Sequence, residues 1–185
     1  MLASFAAVSA LAISAPVSAE ELTITLTGEV TPICGVTNDE TNAAPGPIPI
    51  NFGMLSDTPV GQQTDRITSR LLITCNSPDG GSVTINSENG GKLFLDGVGG
   101  EAREVGYTIS SVGGFGLFFP ETDLGADVVR TFPGAAQFIQ GQRLTLFFKA
   151  NGVAVNNDAN ANEADRTTVF AGNYTDVVTV SVTAN

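Results

Sequence analysis

The sequence has 185 residues, of which 8 are lysine or arginine, 19 are aspartate or glutamate and none is histidine, so its formal net charge is −11. A surface of this sign repels phosphate backbones and anionic lipid headgroups, which argues against nucleic acid or a membrane surface as a partner. Without histidine, a Ser-His or Cys-His nucleophilic pair is excluded.

The first nineteen residues, MLASFAAVSALAISAPVSA, are small and apolar and carry no charged side chain. They end in Val17-Ser18-Ala19, a pattern that suits signal peptidase. A buried or membrane helix is the alternative, but the run contains a proline and is barely long enough to span a bilayer. We therefore expect residues 1–19 to be a secretory signal peptide whose start lacks the usual basic residues. No membrane span is expected in the mature chain.

A strictly alternating stretch follows, in which threonines separate Leu22, Ile24 and Leu26. Successive side chains of a strand point to opposite faces, so these three residues form one apolar row. On periodicity alone the row belongs to the core of the protein's own sheet. At the start of a mature chain, however, such a strand can also be inserted into another subunit. Both interpretations stay open at this point.

Cys34 and Cys75 are the only cysteines. In an exported chain the oxidising compartment favours a disulfide between them. Closing a loop of about 42 residues stabilises a fold by ~4 kcal/mol in the chain-entropy treatment. Two buried free thiols are the alternative. A zinc site is disfavoured, because two cysteines without histidine cannot supply four ligands.

Short alternating runs recur along the rest of the chain, separated by Gly, Pro, Asn and Asp turns. They predict strands at 48–52, 67–75, 83–85, 92–95, 105–111, 143–150 and 177–183. The apolar pieces at 117–119 and 130–132 are expected in loops. No segment shows a helical period over ten residues. The pattern, with 21 glycines, predicts one all-β sandwich domain.

Pairs of carboxylate side chains are the remaining candidates for catalytic residues. Glu101 with Glu104, and Asp123 with Asp127, have the residue types of a glycosidase dyad. Both pairs lie in turn-rich segments, and the absence of tryptophan weakens the case for a sugar-processing cleft. Solvated surface charge is the better interpretation, and we expect neither an enzyme nor a cofactor.

Two polar motifs have the form of ligand or modification sites. Asp158-x-Asn160-x-Asn162 resembles the opening of a calcium loop, but Glu163 stands where an EF-hand needs glycine. A polar loop over 156–165 is preferred, and no metal is expected. Asn173-Tyr174-Thr175 is formally a glycosylation sequon, and Asn173 is expected to serve a turn instead.

Four groups of residues together resemble one family. They are Val30-x-x-x-Cys34-Gly35-Val36, Asn51-Phe52-Gly53, the strand running into Cys75, and the ending Ala171-Gly172-x-Tyr174-x-Asp176-x-Val178-x-Val180-x-Val182-Thr183. Over its whole mature length the chain is similar to the spore coat protein U domain, a family that includes the pilin subunits of archaic chaperone–usher pili. The ending is the most specific part of this resemblance.

The resemblance implies an incomplete immunoglobulin-like β-sandwich over residues 29–185, which lacks its last strand, and a donor-strand segment over residues 20–28. In that family a periplasmic chaperone first fills the gap, the N-terminal segment of the next subunit then replaces it, and an outer-membrane usher exports the fibre. The resemblance implies a donor row of Leu22, Ile24 and Leu26, an acceptor-groove border of Val178, Val180 and Val182, and a family disulfide Cys34–Cys75 that ties the first strand, 29–36, to the third.

The function implied by the resemblance is that of a non-enzymatic pilus subunit, in the periplasm during transit and then on the cell surface, supporting adhesion or biofilm formation. Its expected partners are neighbouring pilus subunits, a periplasmic chaperone and an outer-membrane usher. One alternative is a secreted coat or matrix protein that closes its own sheet with residues 22–26. The other is an adhesin or lectin-like binding module of the same fold.

Overall fold

The computed structural model of the chain describes residues 25–39, 46–155 and 167–185. The chain divides into two compact units, Met1–Val30 and Thr31–Asn185. In the first unit, residues 25–30 are exposed and have no regular secondary structure. The predicted signal peptide, Leu22 and Ile24 lie outside the described residues.

The second unit is built almost entirely from strands. They are β1 (Cys34–Asn38), β2 (Ile67–Cys75), β3 (Gly81–Ser87), β4 (Lys92–Leu95), β5 (Glu104–Gly113), β6 (Phe119–Thr122), β7 (Val128–Phe132), β8 (Gln142–Ala150), β9 (Tyr174–Thr175) and β10 (Val178–Ala184). One short helix, α1, spans Ala136–Gln140, and a 3-10 turn spans Leu55–Asp57. The predicted all-β class is confirmed. Across the described ranges, no helix has the length and apolar character needed to cross a bilayer.

The strands form two antiparallel sheets. The larger has the order β1-β2-β8-β5-β4-β9, with β6 also paired to β5, and the smaller has the order β10-β3-β7. Alternate side chains of β2 and β8 point into the core, as their sequences predict: Leu71 and Ile73 on β2, and Leu144 and Leu146 on β8, are buried. Val83 and Ile85 on β3 join them from the smaller sheet.

The disulfide between Cys34 and Cys75 is present. The two residues are register partners in the β1–β2 pair, and their Cα atoms are 4.0 Å apart. The bridge closes a sequence separation of 41 residues. It therefore fixes the first residue of β1 to the last residue of β2.

The strand registers define two ends of the second unit. At the first, which we call the entry end, β1 begins beside the end of β2, β5 ends opposite Leu144, and β10 ends opposite Gly81. The loop 113–118 and helix α1 lie at the same end, because they follow β5 and precede β8. At the opposite end, which we call the far end, lie the segments 58–63, 96–103, 151–155 and 170–177.

Two predicted strands are wrong in extent. Residues 48–52 form no strand, although Ile48, Ile50 and Phe52 alternate and pack against the core. Pro47 and Pro49 have no N–H group, which removes the donors that a paired strand needs. The first strand begins at Cys34 rather than at residue 29, because Pro32 lacks a donor as well.

The predicted loop at 130–132 is wrong, because these residues belong to β7, which takes its register from β3. Leu117 and Phe118 lie in a loop as predicted, whereas Phe119 begins β6. Helix α1 was not expected, since its five residues are too short to show a helical period. It exists because Phe138 packs into the core and stacks on Phe132, with ring centroids 4.2 Å apart.

Candidate functional site: a groove between two strand edges

A groove with a volume of about 1120 Å³ lies between two strands that each have a free edge. Among the described residues, β1 pairs only with β2, and β10 pairs only with β3. Both strands line the groove, β1 through Val36 and β10 through Val178 and Val180. The groove is therefore bordered by two strands that each pair with a neighbouring strand on one side only within the described residues.

The floor of the groove is apolar. It is formed by Leu71, Leu93, Leu146, Phe148 and Val153, which reach it from the hydrophobic core. An apolar side chain inserted here would leave water, with a gain of about 25 cal/mol for each Å² removed. The groove therefore favours a hydrophobic occupant.

A third side of the groove is formed by the extended segment 46–55. Its apolar side chains Ile48, Ile50 and Phe52 are partly buried, and the Phe52 ring centroid lies 6.2 Å from that of Tyr107. From residue 46 to residue 53, no backbone hydrogen bond reaches another described part of the chain. The segment is thus held by side-chain packing and not by a sheet.

A hydrogen-bond network occupies the part of the groove nearest the far end. One oxygen of the Asp176 carboxylate accepts hydrogen bonds from the Tyr107 hydroxyl at 2.5 Å and from the Ser87 hydroxyl at 2.6 Å. The other oxygen accepts from the backbone N–H groups of Asn89 at 3.0 Å and Val177 at 2.7 Å. Burial, and then the bond to Asp176, raise the pKa of the Tyr107 phenol.

This network links the two sheets. Tyr107 lies on β5 of the larger sheet, Ser87 ends β3 of the smaller sheet, and Asp176 lies two residues before the first residue of β10. The hydrogen bond from Tyr107 therefore ties the start of β10 to β5, and the bond from Ser87 ties it to β3. Because Tyr107 and Asp176 both line the groove, the network sets the position of its border at that end.

The structure places the predicted donor and border residues in different surroundings. Val178 and Val180 line the groove, whereas Val182 packs partly buried against the core and is not among the lining residues. Leu26 is 90% exposed.

The groove also contains residues that the sequence did not single out. Ile48 and Phe52 lie in a segment that the sequence predicts as an ordinary strand. Apolar residues that alternate with prolines are, however, typical of an extended segment without sheet pairing. Tyr107 was treated as a strand residue and Asp176 as part of a family motif. The sequence shows only that Asp176 lies two residues before Val178, the first residue of the apolar row of β10, and it carries no signal for the contact with Tyr107.

The other candidate sites lie apart from the groove or beyond the described residues. Glu104 is partly buried and pairs with Lys92, and hydrogen bonds from Lys92 and the Gly100 N–H lower its pKa. Asp127 accepts a hydrogen bond from the Asn86 amide at 2.5 Å. The described segments contain no group of three His, Cys, Asp or Glu side chains placed to hold a metal ion. The predicted calcium-like loop at 156–165 lies outside them.

Comparison with known proteins does not assign the groove to a family. No protein-family model matches the chain, and no characterised protein matches its sequence. The groove and the network beside it are therefore the basis for a functional proposal.

Proposed function

We propose that this chain is a non-enzymatic structural subunit of a surface pilus, assembled by donor-strand complementation through a chaperone–usher pathway. The apolar groove between the free edges of β1 and β10 is the observation that carries the proposal. In this view the second unit is an incomplete immunoglobulin-like sandwich, and the groove is the place of its missing strand. The subunit passes through the periplasm and ends on the cell surface, where the fibre supports adhesion or biofilm formation.

The chemistry of the groove suits a β-strand better than a compact ligand. A strand laid beside β10 would pair with its free backbone edge, which is otherwise a site for aggregation. Alternate side chains of that strand would point to the floor, next to Val178 and Val180. The intervening side chains would face solvent, as Thr179 and Ser181 of β10 do.

The apolar row near the start of the chain has the pattern that this groove requires. Leu22, Ile24 and Leu26 are spaced by two residues, which places them about 7 Å apart along one face of a strand. Burying three such side chains yields roughly 5–9 kcal/mol before the entropy of association is subtracted. Leu26 is 90% exposed, so its transfer to an apolar groove removes a large area from water.

A mixing experiment tests the proposal with two complementary variants of the full chain. The arm-silenced variant carries Leu22→Ser, Ile24→Ser and Leu26→Ser and keeps its groove. The groove-blocked variant carries Val180→Asp, which places an unpaired charge among apolar groups, and keeps its arm. The unchanged chain should form polymers, and neither variant alone should. Their mixture should form one-to-one dimers, measured by light scattering after size-exclusion chromatography.

Matched controls separate the donor row and the groove from general damage. Serine substitutions at Thr23, Thr25 and Thr27 change the opposite face of the same strand and should leave polymers intact. Thr179→Asp places the same charge on the exposed face of β10 and should also be neutral. A monomeric unchanged chain that loses stability in the arm-silenced variant would overturn the proposal and favour a coat or matrix protein that closes its own sheet.

The chaperone and the usher need a separate test. If the pathway is right, genes for a periplasmic chaperone and an outer-membrane usher should neighbour this one. Co-expression with that chaperone should give a soluble one-to-one complex in which the groove is occupied. The groove-blocked variant should fail to form this complex, whereas the Thr179→Asp control should form it.

A further inference from the structure

Exposed apolar side chains gather at the entry end of the second unit. Ser111 pairs with Phe119 and both are buried, so their neighbours Val112 and Phe118 lie side by side on the outer face. Phe118 is 61% exposed and Ile139 on α1 is 64% exposed. Phe115 has a positive φ of 57°, rare for a bulky residue, and its ring lies 6.0 Å from that of Phe138. We call Val112, Phe115, Phe118 and Ile139 the entry patch.

The entry patch lies in an uncharged part of a strongly acidic protein. No charged residue occurs in 112–120 or in 131–142. Two copies that each carry a net charge of −11 repel one another over most of their surfaces. The entry end is therefore a region where a second copy can approach without that penalty.

A second set of exposed apolar residues lies at the far end. Its members are Val60, Val98, Val155, Phe170 and Val177, and we call them the far-end patch. Phe170 also lines the groove, and Val177 comes directly before the first groove residue of β10. Phe170 and Val177 of the far-end patch therefore lie beside the groove.

The chain between the donor row and the second unit is short. The Asn76 side chain donates its amide N–H to the Thr31 carbonyl at 3.3 Å, and its oxygen accepts the Ile33 N–H at 2.5 Å. Thr31 is thereby fixed to the entry end. Only residues 27–30 separate it from Leu26, and five Cα-to-Cα steps span at most about 18 Å. A subunit whose Leu26 fills a neighbour's groove must bring its entry end against that neighbour.

We infer that successive subunits pack head to tail, with the entry patch of one copy on the far-end patch of the next. This inference rests on the proposed function, because the donor arm brings the entry end of one copy to the groove of the next, which Phe170 of the far-end patch lines. The two patches differ in sequence and lie at opposite ends, so the contact is heterologous and does not close into a ring. The same contact therefore repeats along a fibre, in addition to the donor strand.

The test uses the full chain in the arm-silenced form, so that only the patches can join two copies. Sedimentation velocity over a range of concentrations should show weak association that reverses on dilution, unlike the polymers of the unchanged chain. Phe118→Ser combined with Ile139→Ser should weaken the association constant at least about tenfold, as expected for the loss of central apolar anchors. Val129→Ser is the matched control, because Val129 is 48% exposed on β7 and lies outside both patches.

A second measurement applies to polymers of the unchanged chain. The double serine variant should dissociate at least about tenfold faster in dilute urea than the polymer that carries Val129→Ser. Equal dissociation rates, or an arm-silenced chain whose association does not respond to the patch variants, would overturn the inference. Failure of the donor-strand proposal gives a different result, namely polymers of the arm-silenced chain that persist on dilution.

Discussion

Replacing Tyr107 by phenylalanine tests whether the network at the far end holds the two sheets together. The change removes one hydroxyl and leaves the aromatic ring in the core. The lost hydrogen bond spans 2.5 Å to a carboxylate oxygen of Asp176, which keeps its other three donors. Hydrogen bonds to charged groups contribute about 1.5–3 kcal/mol, and partial burial places this one near the middle of that range. We expect the free energy of unfolding to fall by about 2 kcal/mol.

Tyr174→Phe provides the matched control. Its hydroxyl donates to the Phe170 carbonyl at 2.7 Å, in an exposed position and to an uncharged acceptor. That bond should contribute only about 0.5–1 kcal/mol. Both substitutions remove the same atom from the same residue type, so the difference between them measures the carboxylate and its burial.

Urea unfolding in the arm-silenced background measures both effects without polymerisation. With a denaturant slope of about 2 kcal/mol per molar, Tyr107→Phe should lower the midpoint by about 1 M and Tyr174→Phe by less than half of that. A double-mutant cycle with Asp176→Asn should show coupling between Tyr107 and Asp176. Equal midpoint shifts for the two tyrosines, or no coupling, would refute the role assigned to the network.

Three further outcomes are expected. Replacing both cysteines by serine should cost ~4 kcal/mol of unfolding free energy, measured by urea titration against the oxidised protein. The pKa of the Tyr107 phenol is raised above its ordinary 10.0, so folded-state stability should be intact below pH 10 and fall as the pH rises further. In Tyr174→Phe protein, tyrosinate absorbance should then appear only as the chain unfolds. Phe138→Ala should cost about 3–5 kcal/mol by thermal unfolding, whereas exposed Ile139→Ala should stay within about 0.5 kcal/mol.

The sequence predicts β2, β8 and β5 well, and each of them has a strand partner on both sides. β2, β8 and β5 show strict alternation because one face of each packs on the core. The segment 48–52 has the same alternation and is no strand, since periodicity reports which side chains are buried and not whether the backbone is paired. β7 is the opposite case, a paired strand that the sequence does not predict. Its sequence shows no distinctive strand pattern, and its pairing with β3 supplies the register.

The groove is less visible in the sequence than the strands that border it. Alternation predicts the strand that holds Val178, Val180 and Val182, whereas their role as a groove border is implied only by the resemblance; Val178 and Val180 line the groove. The width of the groove depends on the hydrogen bonds that join Asp176 to Tyr107 and to Ser87. Along the chain, Tyr107 is 69 residues and Ser87 is 89 residues away from Asp176. Contacts between such distant polar residues leave no local pattern in a single sequence.

The Cys34–Cys75 bridge determines how a pulling force would travel through a fibre of this kind. Tension would enter each subunit through the arm and reach the first residue of β1, which is covalently joined to β2. The load would therefore pass into β2 without peeling β1 from the sheet edge. In the reduced protein, β1 would resist the same force only through its hydrogen bonds to β2. Mechanical strength should thus depend on the oxidation state more than equilibrium stability does.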